Sequence, residues 1–336
     1  ILEAFRNTLI RWRWKIFLGV VIAMTVSPAT CIGDYWSTED NDFMPALKFK
    51  EKTGMSKNRW EEMRSALAFW EGDIEVTRQK EKEDEWYRIR KLFQLWNENM
   101  NQCFKAGDTL VCDESMCRWL AENYYGPIVT KMPLKPEGEG SLAKTVACGI
   151  SSIIFGLELQ ESPAAMERKE LMKTAACTLR LVKPYFGTKR CVIADSWFAS
   201  VTCAVELLKR EYFLLALLKG RSCEYPKKYF HESAFTSESI RGETRTLHST
   251  TQYDRLIAHC WYEPGPDKVY KQQATGTVAR KMKKKSGNRK MKSFISTAYT
   301  ALPVEPWSRP RHIQNQGGVI VTCNLDIPQS QIVQAY

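Results

Sequence analysis

At 336 residues, with 44% apolar and 26% charged residues, the chain has room for two packed units and is too apolar to be globally disordered. Its 49 Lys and Arg against 38 Asp and Glu give a formal net charge of +11. That excess is local: residues 268–311 hold twelve basic residues and one acid, Glu305, while the remainder balances. A basic block on a neutral body points to a polyanionic partner. The eleven cysteines are odd in number and include no C-x-x-C spacing, and Cys112, Cys177, Cys191 and Cys203 lie in apolar runs. This excludes a disulfide scaffold and suggests a reducing, intracellular setting. The longest apolar run, 16–26, falls short of the roughly 20 residues a bilayer needs, so no membrane association is expected. A start at Ile1 and a stop inside a helix-like pattern suggest a fragment.

From residue 2 to about 104 the pattern is helical. Ser56 is a candidate N-cap, and Trp60, Met63, Leu67 and Trp70 follow on one helical face. A further helix follows Asp84, with Trp86, Ile89, Leu92, Trp96, Met100 and Phe104 in one stripe. Such stripes are read as helix–helix core. At Ala106-Gly107 the pattern changes to strands over 109–112, 145–154 and 154–159, the last two joined by a Ser/Gly turn. An amphipathic helix over 168–182, an apolar strand at 191–194 running into Asp195, a helix at 201–208 and a strand at 212–218 complete the order β-β-β-α-β-α-β. This predicts an α/β fold with a mixed sheet flanked by helices. Residues 219–310 are Gly, Ser, Lys and Arg rich, with short strand-like runs at 256–261 and 294–298. The expected divisions are a helical domain at 1–105, a core at 106–220, a basic insertion at 221–310 and a return to the core at 311–336.

Two carboxylates end predicted strands: Asp113 after Leu110-Val111-Cys112, and Asp195 after Val192-Ile193-Ala194. On adjacent strands they would sit one strand spacing apart, about 4.8 Å. Paired ionised carboxylates repel, and a hard divalent cation between them relieves the repulsion. Such pairs form two-metal phosphoryl-transfer sites. The competing reading is that acids at strand ends are helix caps or turn formers, Asp195 simply capping the helix that follows it.

Asp113-Glu114-Ser115-Met116, Lys135-Pro136 and Asp195-Ser196-Trp197-Phe198-Ala199-Ser200 resemble the conserved blocks of piggyBac-type DDE transposases. Asp34-Tyr35-Trp36-Ser37 and Met55-Ser56-Lys57-Asn58-Arg59-Trp60 are similar to that family's helical lead-in, and Ser293-Phe294-Ile295-Ser296-Thr297 to its strand before the third catalytic region. The likeness implies an RNase H-like core behind an all-helical DNA-binding and dimerising part. It implies that Asp113 and Asp195 are catalytic and ligate two Mg²⁺ ions, with Mn²⁺ a possible substitute. It further implies double-stranded DNA (transposon ends and target) as partner, hairpin intermediates, TTAA target sites, a homodimer, a nuclear location and no small-molecule cofactor.

The family's third acid lies in a G-V-D block after a helix resembling Ile327-Pro328-Gln329 to Tyr336, and is expected beyond Tyr336. Asp326 is the nearest substitute but lacks that context, and Ser196 stands where the family usually has Asn. With two acids the chain alone is expected to bind DNA and cleave little. A domesticated or decayed relative that binds DNA or chromatin without catalysis is the second reading.

Gly138 to Thr145 imitates a phosphate-binding loop, but Ala143 replaces the needed glycine and no apolar strand precedes it. Lys135 and Lys144 are assigned instead to the DNA backbone. Lys281, Lys283, Lys284, Lys285, Arg289 and Lys290 form a basic loop suited either to phosphate binding or to nuclear import. Trp197 has two readings, a roof over the sheet core or a platform for an unpaired base. His231, His248, His259 and His312 are scattered without ligand spacing and are read as surface or structural.

Overall fold

The computed structural model describes residues 2–40, 45–70, 73–118, 128–132, 138–160, 173–219, 224–232, 235, 239–250, 253, 255–263, 290–314 and 320–336. They form two compact units, Ile1–Lys82 with Tyr87–Ile89, and Glu83–Trp86 with Arg90–Tyr336.

The first unit is helical: α1 (Leu2–Val26), a 3-10 turn (Ile32–Trp36), α2 (Phe49–Thr53), α3 (Lys57–Ser65) and α4 (Ile74–Glu83). Its core gathers Phe17, Val20, Tyr35, Phe49, Met55 and Trp60. Trp60 stacks on Phe17 at 6.0 Å and meets Trp36 at 5.7 Å between ring centroids. The Trp36 indole donates to the Met55 carbonyl at 2.8 Å, tying the lead-in to α3. Ser56 caps α3 as expected, accepting from the Arg59 N–H. The helix stops at Ser65, so Leu67 and Trp70 lie outside it. Trp70 lies under the Arg88 guanidinium at 4.9 Å. Apolar spacing alone did not mark where backbone hydrogen bonding ends. No helix among the described residues is long and apolar enough to cross a membrane.

In the second unit α5 (Tyr87–Cys103) follows Trp86, whose buried indole donates to the Gln160 carbonyl at 2.6 Å. The strands are β1 (Thr109–Arg118), β2 (Thr130–Lys131), β3 (Glu139–Cys148), β4 (Ile154–Leu159), β5 (Cys191–Ala194), β6 (Phe213–Leu218), β7 (Thr244–His248), β8 (Ile257–Glu263) and β9 (Lys290–Ser296). They form one sheet in the order β2-β3-β1-β5-β6-β9-β8-β7, with β4 also on β3. β1, β5 and β6 run parallel, while β3 and β4 continue antiparallel on one side and β9, β8 and β7 on the other.

The run β4-β3-β1-β5-β6, with α6 (Lys173–Val182) before β5 and α7 (Val201–Leu208) after it, is the RNase H-like arrangement. Val192, Leu214 and Ala216 of its two inner parallel strands are fully or almost fully buried, as all-parallel pairs covered by helices require. Cys112, Cys177 and Cys203 join the same core, and burial raises the Cys203 thiol pKa to about 12. The phosphate-loop imitation is part of β3, which runs from Glu139 through Thr145. α8 (Lys227–Glu232) precedes β7. The strand-like runs expected inside the basic insertion are β8 and β9, and they extend the main sheet. A separate two-stranded sheet, β10 (Pro303–Gln314) and β11 (Ile320–Ser330), leads into α9 (Gln331–Ala335).

One buried histidine joins these last elements to the sheet. His259 on β8 is fully buried, with Nδ1 at 2.8 Å from the Thr246 hydroxyl and Nε2 at 2.9 Å from the Ser330 hydroxyl. Ser330 in turn caps α9 by accepting from the Val333 N–H. Burial lowers the His259 pKa from the ordinary 6.5 to about 4. As pH falls from 6.5 toward 4 the unfolded chain takes up a proton that the folded chain refuses, so stability is lost over that interval and is complete above it. The loss approaches roughly 3 kcal/mol near the lower end. Denaturant unfolding at neutral and mildly acid pH should show this fall in the native chain and a clearly smaller one in His259→Gln. Equal pH dependence in both proteins would refute the assignment.

Candidate functional site

The site begins with register. β1 and β5 pair in parallel through Thr109↔Cys191, Leu110↔Val192, Val111↔Ile193 and Cys112↔Ala194. Asp113, within β1, and Asp195, the first residue after β5, each follow the last paired rung, so the register brings both acids side by side where the β1–β5 pairing ends. Open α/β sheets place their ligands at that end.

β1 continues to Arg118, longer than its apolar run suggested. From Asp113↔Thr145 to Arg118↔Gly140 it pairs with β3 alone. Asp113 thus stands where β1 loses its neighbour on the β5 side. Gly140 permits the far end of this pairing: a Cβ on it would lie 2.2 Å from the Cys117 carbonyl oxygen.

Each acid is oriented by the backbone just after it. Asp113 Oδ1 accepts from the Glu114 N–H at 2.7 Å, and Asp195 Oδ1 accepts from the Trp197 N–H at 2.8 Å. Ser200, not Asp195, caps α7 by accepting from the Cys203 N–H at 2.9 Å, while the bond from Asp195 to the Trp197 N–H is the turn contact that the competing reading also allowed. Among the described residues neither aspartate has an ion-pair partner. The Tyr336 hydroxyl, just after α9, senses both: burial, then Asp195, then Asp113 raise its pKa above the usual value. Its ring rests edge-on against Phe294 of β9 at 5.3 Å.

Lys144 is set deeper than an open surface contact would be: it lines a groove shared with Asp195 but is only 7% exposed, and its ammonium is ion-paired with Glu114. The same ammonium lies 3.6 Å from the centroid of the Trp197 ring. The cause is the cross-strand register Glu114↔Lys144, which places opposite charges opposite each other on β1 and β3. Sequence reading started β3 at residue 145 and ended β1 at 112, so it missed the pairing, and with it Glu114 and Trp197 as partners. Tyr336 carried no sequence signal toward the acids.

Beside Asp195 lies a groove of about 500 Å³, lined also by Trp197, Lys131, Lys173, Arg180 and Lys219. Of the other expected contacts, Lys135, Lys281, Lys283, Lys284, Lys285 and Arg289 lie outside the described residues, and Lys290 opens β9. Asp326 sits exposed on β11 in the separate two-stranded sheet, paired with Ser308. No group of three or more His, Cys, Asp or Glu suited to an ion occurs among the described residues.

None of the curated proteins matches the chain. Among solved structures it is similar to a piggyBac transposase synaptic complex with hairpin DNA, seen by cryo-electron microscopy, with a TM-score of 0.65 and 15% identity. The alignment covers 96% of this chain and 55% of that one, so the chain spans little more than half the length of its structural relative. At that identity the likeness establishes the fold. The family described as Transposase IS4 matches residues 13–300, nearly the whole chain. The fold, the order of its elements and the family match agree: this chain belongs to the IS4/piggyBac-type DDE transposases.

Proposed function

We propose that the chain forms the catalytic core of a DNA transposase that cuts and joins DNA strands by in-line displacement at phosphorus, with Asp113 and Asp195 as the residues that hold divalent metal. The observation that carries this reading is the juxtaposition of the two carboxylates by the β1–β5 register at the open end of the sheet. The donor set fits: carboxylate oxygens suit hard cations such as Mg²⁺ or Mn²⁺, and two like charges one strand apart call for one. When bound, such ions activate the attacking oxygen and stabilise the leaving one. The chain's own residues fix the geometry. The Glu114 and Trp197 N–H groups aim the two carboxylates, and the buried strands β1 and β5 hold them rigidly. Asp113 and Asp195 would each supply carboxylate oxygens to the bound metal. Two acids alone would hold ions weakly and cleave little.

The partner is double-stranded DNA, contacted through the groove beside Asp195 and through the basic block that contains Lys281, Lys283, Lys284, Lys285, Arg289 and Lys290. Lys135 is assigned to the same partner, on the sequence resemblance alone. The block equally fits a nuclear-import signal, which suits a protein that must reach chromosomal DNA, and a homodimer suits an enzyme that joins two DNA ends.

In metal-free buffer the two carboxylates repel, by about 1 kcal/mol at one strand spacing in a water-like dielectric. Asp113→Asn should therefore unfold at a slightly higher temperature than the native chain without metal. Added Mg²⁺ should raise the midpoint of the native chain and leave that of Asp113→Asn or Asp195→Asn almost unmoved. Identical Mg²⁺ responses in all three proteins would defeat the metal assignment.

DNA binding should weaken steeply with salt, and neutralising Lys283, Lys284 and Lys285 should make the log–log slope shallower by about 3, one unit for each phosphate that a lysine no longer neutralises. An unchanged slope would remove the block from the interface. DNA strand cleavage that persisted at the native rate in Asp113→Ala would overturn the catalytic assignment itself.

A further inference from the structure

Lys144 stands at a junction that the reaction scheme does not use. Its ammonium is buried and touches two side chains, the Glu114 carboxylate and the Trp197 ring. Those two residues share one property. Each donates its own backbone N–H to the adjacent acid, Glu114 to Asp113 and Trp197 to Asp195. The two halves come from different strands, β1 and the turn after β5, and Lys144 reaches them from a third, β3.

We propose that Lys144 is a positioning residue, a single cation that clasps Glu114 and Trp197 and thereby fixes the directions of both aspartates. The argument is energetic as well as geometric. A buried ammonium is costly unless fully engaged, and here it gains a carboxylate on one side and an aromatic face on the other. The indole is pinned further by the edge-on contact with the fully buried Phe198 at 4.8 Å. A ring held at two points cannot rotate without moving its backbone, so the Trp197 N–H stays aimed at Asp195. On the other strand the ion pair restrains Glu114 in the same way, and its N–H stays aimed at Asp113. Cross-strand pairing sets the distance between the acids, and the clasp sets where their oxygens point. The ammonium occupies one face of the Trp197 ring, so that face is closed to a stacked base.

The role of the clasp in ion binding rests on the proposed function, whereas its role in orienting the carboxylates does not. The test therefore reads both. Amide hydrogen exchange resolved at Glu114 and Trp197 reports the two N–H to carboxylate bonds directly. In Lys144→Met both amides should exchange about five-fold faster or more, the scale of one net hydrogen bond, while Lys144→Arg, which keeps charge and ring contact, stays near the native rate. Lys144→Met removes the cation paired with the half-buried Glu114 carboxylate and risks misfolding. Lys144→Met/Glu114→Gln removes both charges and should fold, with the same acceleration at Trp197.

Mn²⁺ binding followed by electron paramagnetic resonance should weaken about ten-fold in the folded variants, the cost of losing a partner that orients a ligand. Native exchange at both amides in the folded variants would overturn the clasp. A native chain whose Mn²⁺ binding survived Asp113→Asn would instead overturn the metal reading, and the exchange rates would still decide the clasp.

Discussion

Parallel pairing of β1 with β5 is the constraint on which the site depends. Four rungs of backbone hydrogen bonding end at Cys112↔Ala194, and the residue beyond that rung on each strand is an aspartate. Side chains alternate along a strand, so a slip of one residue would send one acid to the other face of the sheet. The register is held by burial on both faces. Leu110, Cys112, Val192, Ala194 and Leu214 pack into one core, and Cys191 and Leu215 into another. Placing two like charges together costs free energy, and the packed apolar strands beneath them offset it. Local unfavourable choices of this kind concentrate at functional sites.

The second level of organisation is polar and lies just outside that apolar floor. The half-buried Glu114 and Trp197 engage the buried Lys144 between them, in the wall of a groove lined by further lysines and Arg180. A buried ion pair is weak evidence for stability, because desolvation consumes much of its attraction. Its value here lies in direction. It links the residue after Asp113 to the residue two after Asp195, through a strand that carries neither acid. On the far side of the sheet His259 ties β8 to Ser330 and so to the start of α9, which brings Tyr336 within the influence of both carboxylates. Three separate strands and one short helix thus converge on a pair of residues some eighty positions apart in the chain.

Much of this was legible in the residues themselves. Hydrophobic periodicity located β4, β5, α7 and β6 closely, because a strand covered on both faces must be continuously apolar and a helix between such strands must be amphipathic. Ser56 was readable as a cap because its side chain acts on a neighbour three residues away. The reading was less accurate where the controlling interaction was long-range. β1 and β3 both ran further than their apolar cores, into polar sequence stabilised by cross-strand pairing, and that pairing turned Lys144 from a surface cation into a buried one. The stripe through Trp60 and Met63 continued in sequence past the point where α3 ends, since an apolar contact needs proximity and not a helix.

The sequence by itself determined the two acids, the element order around them, the localised basic charge and the family likeness, because these rest on local composition, spacing and motif order. Only the tertiary structure decided that Asp113 and Asp195 share one edge, that Ser200 and not Asp195 caps α7, and that Lys144 faces inward toward Glu114 and Trp197. Each of those depends on strand order and register, which are set by how distant segments pack, and no window of neighbouring residues contains that information.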